Sequence, residues 1–167
     1  GAFLGRGFVG NALDLDLGPR GAKVVIDLSE DPIFRVRRGL RLGFAVRPAA
    51  LADAALLDFG KVIQASVRVD GSVDFRVATR RLDEFGRPVP GETLALRAGP
   101  AAVEAGTWTQ IEVTYDMRRI VITANGVPVA ERAESRELWD LSGPLVIGGG
   151  RQRFAGRNDD LVISVIT

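Results

Sequence analysis

The chain is predicted to be all-β, a two-sheet antiparallel sandwich, on three observations. Apolar and polar residues alternate with period two over most of its length, helical periodicity is nearly absent, and Gly, Pro, Asn and Asp break the alternation roughly every eight to twelve residues. At 167 residues and 46% apolar content, a single domain spanning residues 1–167 with a full core is expected.

Taken in order, Leu13, Leu15 and Leu17 alternate with Asp14 and Asp16, and Lys23 to Leu28 is a β-branched run. Leu40, Leu42, Phe44 and Val46 alternate up to Arg47, and Ala54 to Phe59 is a short apolar run. Val62 to Val69 and Val73 to Arg80 alternate around Asp70-Gly71, and Thr93 to Ala98 follows a Pro-rich break. Thr109 to Tyr115, Ile120 to Asn125 and Val127 to Ala133 form a meander; Leu145 to Gly148 and Asp159 to Val165 complete the set. A helical turn is expected only at Glu134 to Asp140.

Register is specified in three hairpins, because a one-residue slip would turn a buried face into water. Ile63, Ala65, Val67 and Val69 match Val73, Phe75 and Val77 across a three-residue Asp70-Gly71-Ser72 loop with Gly71 left-handed, which sets Arg68 opposite Asp74. Ile111, Val113 and Tyr115 match Ile120, Ile122 and Ala124 across Asp116 to Arg119. Asn125-Gly126 is a type I′ signal that pairs Ala124 with Val127 and Ile122 with Val129. The core therefore contains Ile111, Val113, Ile122, Val67, Phe75 and Ile147, with Tyr115 beside them.

Residues 80–92 break the alternation with two prolines and two glycines and are predicted to be a long rim loop, either functional or an inert surface excursion.

Composition excludes several functions. With no cysteine and no histidine, nucleophilic Cys chemistry, His general-base chemistry and the usual zinc sites are absent, and disulfides cannot form. A net charge of +1 gives no reason to expect nucleic acid as a partner, and no run approaches the roughly 20 apolar residues that span a bilayer. A start at Gly1 without Met reads as an excised or processed domain.

The closing third, Gly106-Thr-Trp-Thr-Gln-Ile-Glu-Val-Thr-Tyr-Asp, Asn125-Gly126, Leu145-Val-Ile-Gly and Phe154-Ala-Gly-Arg-Asn-Asp-Asp-Leu-Val-Ile, resembles the laminin-G-like branch of the concanavalin A-like lectin and glucanase superfamily. Gly10-Asn-Ala-Leu-Asp-Leu-Asp and Leu40-Arg-Leu-Gly-Phe-Ala-Val-Arg-Pro resemble its first and third strands. The resemblance implies a jelly roll whose terminal strands lie close together, serving as a glycan-binding or protein-binding module, some of which use calcium, or as a spacer.

Departures from the family pattern narrow this. Where pentraxin relatives hold calcium on an acidic, amide-rich loop, this chain has Gly148-Gly-Gly-Arg-Gln-Arg-Phe154, so that calcium site is not expected. Asp14 and Asp16 share a face, but the third acidic residue of the glucanase pattern is missing, and the chain is read as a non-enzyme. Gly5-Arg-Gly-Phe-Val-Gly10 matches a dinucleotide fingerprint only in letters, since a strand pattern rather than a helix follows it. Gly148-Gly-Gly lacks the Lys-Ser/Thr of a phosphate loop.

Three groups of side chains carry candidate chemistry. Asn158, Asp159 and Asp160 offer oxygens to one structural calcium, with Asp14 or Asp16 in support; the alternative is a carboxylate that hydrogen-bonds a loop backbone. Arg80, Arg81, Arg151, Arg153 and Arg157 offer forks to sulfated or carboxylated polymers, against a genomic bias toward Arg that leaves the same letters. Trp139 is the aromatic best placed to stack on a sugar, the alternative being a Trp that seals a sheet edge, whereas Trp108 and Tyr115 read as structural. The reading is a non-catalytic glycan-binding or protein-binding module of an extracellular, periplasmic or surface-exposed bacterial protein, part of a larger chain or assembly. The head of a pilin-like filament subunit is the competing class.

Overall fold

In the computed structural model, which describes residues 3–6, 11–14, 23–27, 35–148 and 154–165, the alternation becomes thirteen strands and no helix among the described residues. In chain order they are β1 (Phe3–Arg6), β2 (Asn11–Asp14), β3 (Lys23–Ile26), β4 (Leu40–Pro48), β5 (Ala54–Phe59), β6 (Ile63–Val67) and β7 (Val73–Leu82). There follow β8 (Pro88–Arg97), β9 (Thr109–Tyr115), β10 (Arg119–Ala124), β11 (Val127–Ala133), β12 (Leu145–Gly148) and β13 (Gly156–Val165). One sheet runs β1-β2-β13-β4-β9-β10-β11 and the other β3-β12-β5-β6-β7-β8, with antiparallel pairing throughout. The expected two-sheet jelly-roll sandwich is present, and β13 lies beside β2, which brings the terminal strands together.

The two inner faces meet in one core. Leu42, Phe44, Ile111, Val113, Tyr115 and Ile122 come from one sheet and Phe59, Ile63, Val67, Phe75, Val77 and Ile147 from the other, each no more than 3% exposed. All six expected core residues are among them. Burial of each such aliphatic or aromatic side chain contributes roughly 1.5–3 kcal/mol.

The register of the β9–β10 hairpin is as expected: Tyr115 faces Ile120, Val113 faces Ile122 and Ile111 faces Ala124. Asn125 (φ 50°) and Gly126 (φ 79°) are both left-handed, as a type I′ turn requires, and Ala124 pairs with Val127. Beyond the turn a bulge shifts Ile122 opposite Ala130 rather than Val129. The strand concerned, β11, is an exposed sheet edge, so no buried face holds its register, and Pro128 sits there without cost to an outer neighbour.

The β6–β7 hairpin keeps its expected faces from Ile63 to Val67 and from Val73 to Val77 but closes one residue sooner, which puts Val69, expected on the buried face, in the loop and in solvent. Its loop is Val69-Asp70-Gly71, with Arg68 N donating to Ser72 O and Gly71 N to Arg68 O, so that Val67 pairs with Val73. Asp70 draws Ser72 into the ladder by accepting from both its N–H (2.9 Å) and its hydroxyl (2.6 Å). Gly71 is left-handed (φ 76°), as expected. Arg68 still grips Asp74, at 2.6 Å, though diagonally, because Ser66 is the residue opposite.

Two expectations are corrected. Residues 80–92 are not a long loop: β7 continues to Leu82 and β8 begins at Pro88. Asp83 makes this possible by accepting from Phe85 N, Arg87 N and Arg87 Nε at the tip, while its own N–H donates to Arg87 O. The alternating ladder then turns the nitrogens of Pro88 and Pro90 away from β7, on an edge strand where no donor is needed. The helical turn at 134–140 is also absent. Leu138 bridges Thr79, Arg80 N donates to Glu137 O (2.7 Å) and Trp139 N to Ala78 O (2.9 Å), so this segment carries the sheet along β7 past the end of β6. Buried backbone there finds its partners only in an extended conformation.

Strand β1 has no expected counterpart, since Phe3 to Arg6 lacks clear alternation. Residues 15–17 and Leu28, expected to extend two strands, lie outside the described residues. So do residues 7–10 of the Gly-rich match, which β1 precedes and β2 follows.

Candidate functional site

Alternation along β6 and β7 sends Ile63, Ala65, Val67, Val73, Phe75 and Val77 into the core, so Gln64, Ser66, Asp74 and Arg76 stand on the outer face of the six-stranded sheet. A bulge at Leu56 buries Leu56 and Leu57 in succession and lets both Ala55 and Asp58 face outward. The ladder then sets two polar rows across the sheet, Asp58 with Gln64 and Arg76, and Ser66 with Asp74 and Arg97. These rows, with Asp53 and Arg68 at one margin, line an open depression of about 420 Å³, Arg97 flanking it through Asp74.

Most charges there are held in place. Arg97 Nε lies 2.5 Å from Asp74 Oδ1 and Arg68 Nη2 lies 2.6 Å from Oδ2. Burial pushes the Asp74 carboxyl up, but hydrogen bonds from Arg97 and Arg68 outweigh it and keep the group below the usual carboxylate range. Arg68 also reaches Asp53 at 3.2 Å. Asp58 accepts from Lys61 N (2.9 Å) and Gln64 Nε2 (3.1 Å). Arg76 differs from its neighbours: it is exposed and has no hydrogen-bonding or ion-pair partner among the described residues.

Held ionised, Asp74 serves this arrangement as a hydrogen-bond acceptor. Among the described residues the displaced carboxyl groups, Asp70, Asp74, Asp83, Asp116 and Glu134, are all pushed down, toward permanent ionisation.

The structure disperses the residues singled out from sequence. Trp139 lies on the same outer face, beside Ala78 and two positions from Arg76 along β7, half-buried and packed against the core. Arg80 is next to it, with Nη1 2.9 Å from Glu137 Oε2. Arg81 alternates to the other side of β7 and is exposed, while Arg157 is half-buried on β13 of the other sheet, opposite Arg47. Arg151 and Arg153 lie outside the described residues, as does Asp16.

Asn158 is buried opposite Val46, and a bulge between Asp159 and Val162 leaves Asp160 left-handed (φ 50°), its N–H donating to Asp159 Oδ1 at 2.9 Å. Among the described residues no three His, Cys, Asp or Glu side chains gather as a metal site. A second depression of about 550 Å³ lies on the outer face of the seven-stranded sheet, where Arg41 is already bound to Glu112 at 2.6 Å.

Asp58, Gln64, Ser66 and Arg76 were missed from sequence because outward polar positions on a strand read as ordinary solvated residues. The available signal was that four polar residues, Gln64, Ser66, Asp74 and Arg76, recur at alternate positions on the consecutive strands β6 and β7.

No family model and no curated protein matches the chain. Solved structures do. Domain 4 of AbnA, a GH43 extracellular arabinanase from Geobacillus stearothermophilus, in complex with arabinotriose, superimposes with a TM-score of 0.65 at 15% identity over 98% of this chain and 74% of that one. The binding domain of botulinum neurotoxin DC in complex with SialylT gives 0.67 at 13% identity over 98% of this chain and 40% of that one. For the binding domain of botulinum neurotoxin serotype G the values are 0.64, 10%, 98% and 43%. The chain shares the antiparallel β-sandwich fold of these domains. It spans about two-fifths of each toxin domain and about three-quarters of the arabinanase domain.

Proposed function

We propose that this chain is a non-catalytic carbohydrate-binding module of a larger exported or surface-exposed protein, and that it takes its ligand on the outer face of β5, β6 and β7. The observation that carries the reading is the open depression itself, with Asp58, Gln64 and Ser66 fixed in ladder rows as acceptors and donors suited to sugar hydroxyls. Two of the structurally similar domains are described in complex with arabinotriose and with SialylT, which supports a saccharide over a protein ligand.

The test is a glycan array probed with the wild type and with a Gln64→Ala, Ser66→Ala double variant. Binding by the wild type that the double variant loses is the expected result. Equal binding by both proteins would move the site elsewhere, and a wild type that binds no glycan would end the carbohydrate reading.

A further inference from the structure

We infer that the depression on β5, β6 and β7 selects a saccharide that carries a carboxylate, of the uronic-acid or sialic-acid type, and that Arg76 is the fork that holds it. The inference rests on reading this face as the glycan site. Three other cations of the face are already engaged: Arg68 and Arg97 share Asp74, and Arg80 holds Glu137. Arg76 has no such partner among the described residues, yet it stands in the row that contains Gln64 and Asp58, on the same depression. A guanidinium stays charged at any working pH and presents planar paired donors, which a carboxylate matches with two oxygens. Asp58 keeps acceptor capacity beyond its bonds from Gln64 and Lys61, and the sugar hydroxyls beside a carboxylate are donors of the kind it takes.

The charge balance separates this ligand from other anions. The lining has three carboxylates, Asp53, Asp58 and Asp74, against two guanidiniums, Arg68 and Arg76, and Arg97 beside Asp74 only brings the patch to neutrality. A densely sulfated polymer finds no attracting field there, because its further charges approach Asp53 and Asp58. A single carboxylate seated on Arg76 gains a local contact, screened beyond about 8 Å at physiological salt.

Titration calorimetry with the purified chain tests this with two matched pairs, trigalacturonate against galactotriose and sialyllactose against lactose, using wild type, Arg76→Ala and Arg76→Lys. The wild type is expected to bind at least one acidic saccharide about tenfold tighter than its neutral counterpart; Arg76→Ala removes that preference and Arg76→Lys retains part of it. An exposed, unpartnered side chain leaves the fold unchanged on removal, which a thermal melt of each variant verifies. Equal affinity for the acidic and neutral members, lost in the Gln64→Ala, Ser66→Ala variant, would overturn the carboxylate assignment and leave the glycan face standing. An acidic preference that Arg76→Ala preserves would overturn it equally. No binding of either pair, together with a silent glycan array, would overturn both readings.

Discussion

Arg136 clasps Glu134 two residues before it, with Nη2 2.8 Å from Oε2 and Nε 2.9 Å from Oε1. The Glu134 side chain is only 6% exposed and accepts as well from the N–H groups of Ser135 and Arg136. Chiefly through the Arg136 side chain, these bonds hold its carboxyl at about 2, against an ordinary 4.5. The depressed value means stabilisation that is whole above about pH 4.5 and is lost as pH falls through about 2. Glu134→Gln should lower stability at pH 7 by on the order of 2 kcal/mol and flatten the acid limb of stability against pH, as read by urea denaturation from pH 7 to pH 2. Parallel acid limbs for the two proteins would contradict this.

The carbonyl of Arg136 accepts from Tyr115 Oη at 2.6 Å, and Tyr115 is 1% exposed. Burial first, then the carboxylates of Glu134, Asp116 and Glu137, push the phenol up to about 12. A raised value means that this contribution is fully present below the ordinary 10 and is lost as pH rises through about 12. Tyr115 is the only tyrosine, so absorbance titration near 295 nm reads it alone. The folded protein is expected to show no phenolate transition near pH 10, and a normal transition there would place Tyr115 in water.

Two glycines separate backbone strain from crowding. Gly126 (φ 79°) faces open space, so Gly126→Val should cost about 1 kcal/mol or somewhat more, from the left-handed conformation alone. At Gly71 (φ 76°) a Cβ would lie within 2.3 Å of Val103 O, a contact the backbone must move to relieve. Gly71→Ala is therefore expected to be the more damaging although Ala is the smaller residue, and urea midpoints in the reverse order would contradict the β6–β7 loop geometry.

Much of the fold was legible because large alternating runs admit one solution. Leu40 to Val46, Ile111 to Tyr115 and Val73 to Val77 each have one apolar face, and a face that must be buried determines register. Where burial weakens, so does the reading: β11 slips by a bulge at its exposed edge, and Pro88 and Pro90 suggested a loop because their place on an edge strand depends on which strand is outermost. The extended course of Glu137 to Trp139 was hidden because its partners, Ala78 and Arg80, are nearly sixty residues away in sequence. The candidate site was the least legible. Asp58, Gln64 and Arg76 form a row only once β5, β6 and β7 are side by side, and Arg76 stands out only after Arg68, Arg97 and Arg80 are seen to be paired.

Phe75 tests the core beneath that row. It is 2% exposed between outward-facing Asp74 and Arg76, and Phe75→Ala should cost about 3–5 kcal/mol in chemical denaturation. A loss under about 1 kcal/mol would mean that the outer rows are not anchored by the packing described.

The location of the ligand on the six-stranded sheet is tested most directly by mapping backbone amide shifts in two-dimensional NMR as an oligosaccharide bound in the array is titrated into the chain. The expected result is a contiguous set of saturable shifts at residues 58, 64–66 and 74–76. Shifts confined to residues 41–43, 110–112 and 160–162, on the outer face of the seven-stranded sheet, would contradict the account.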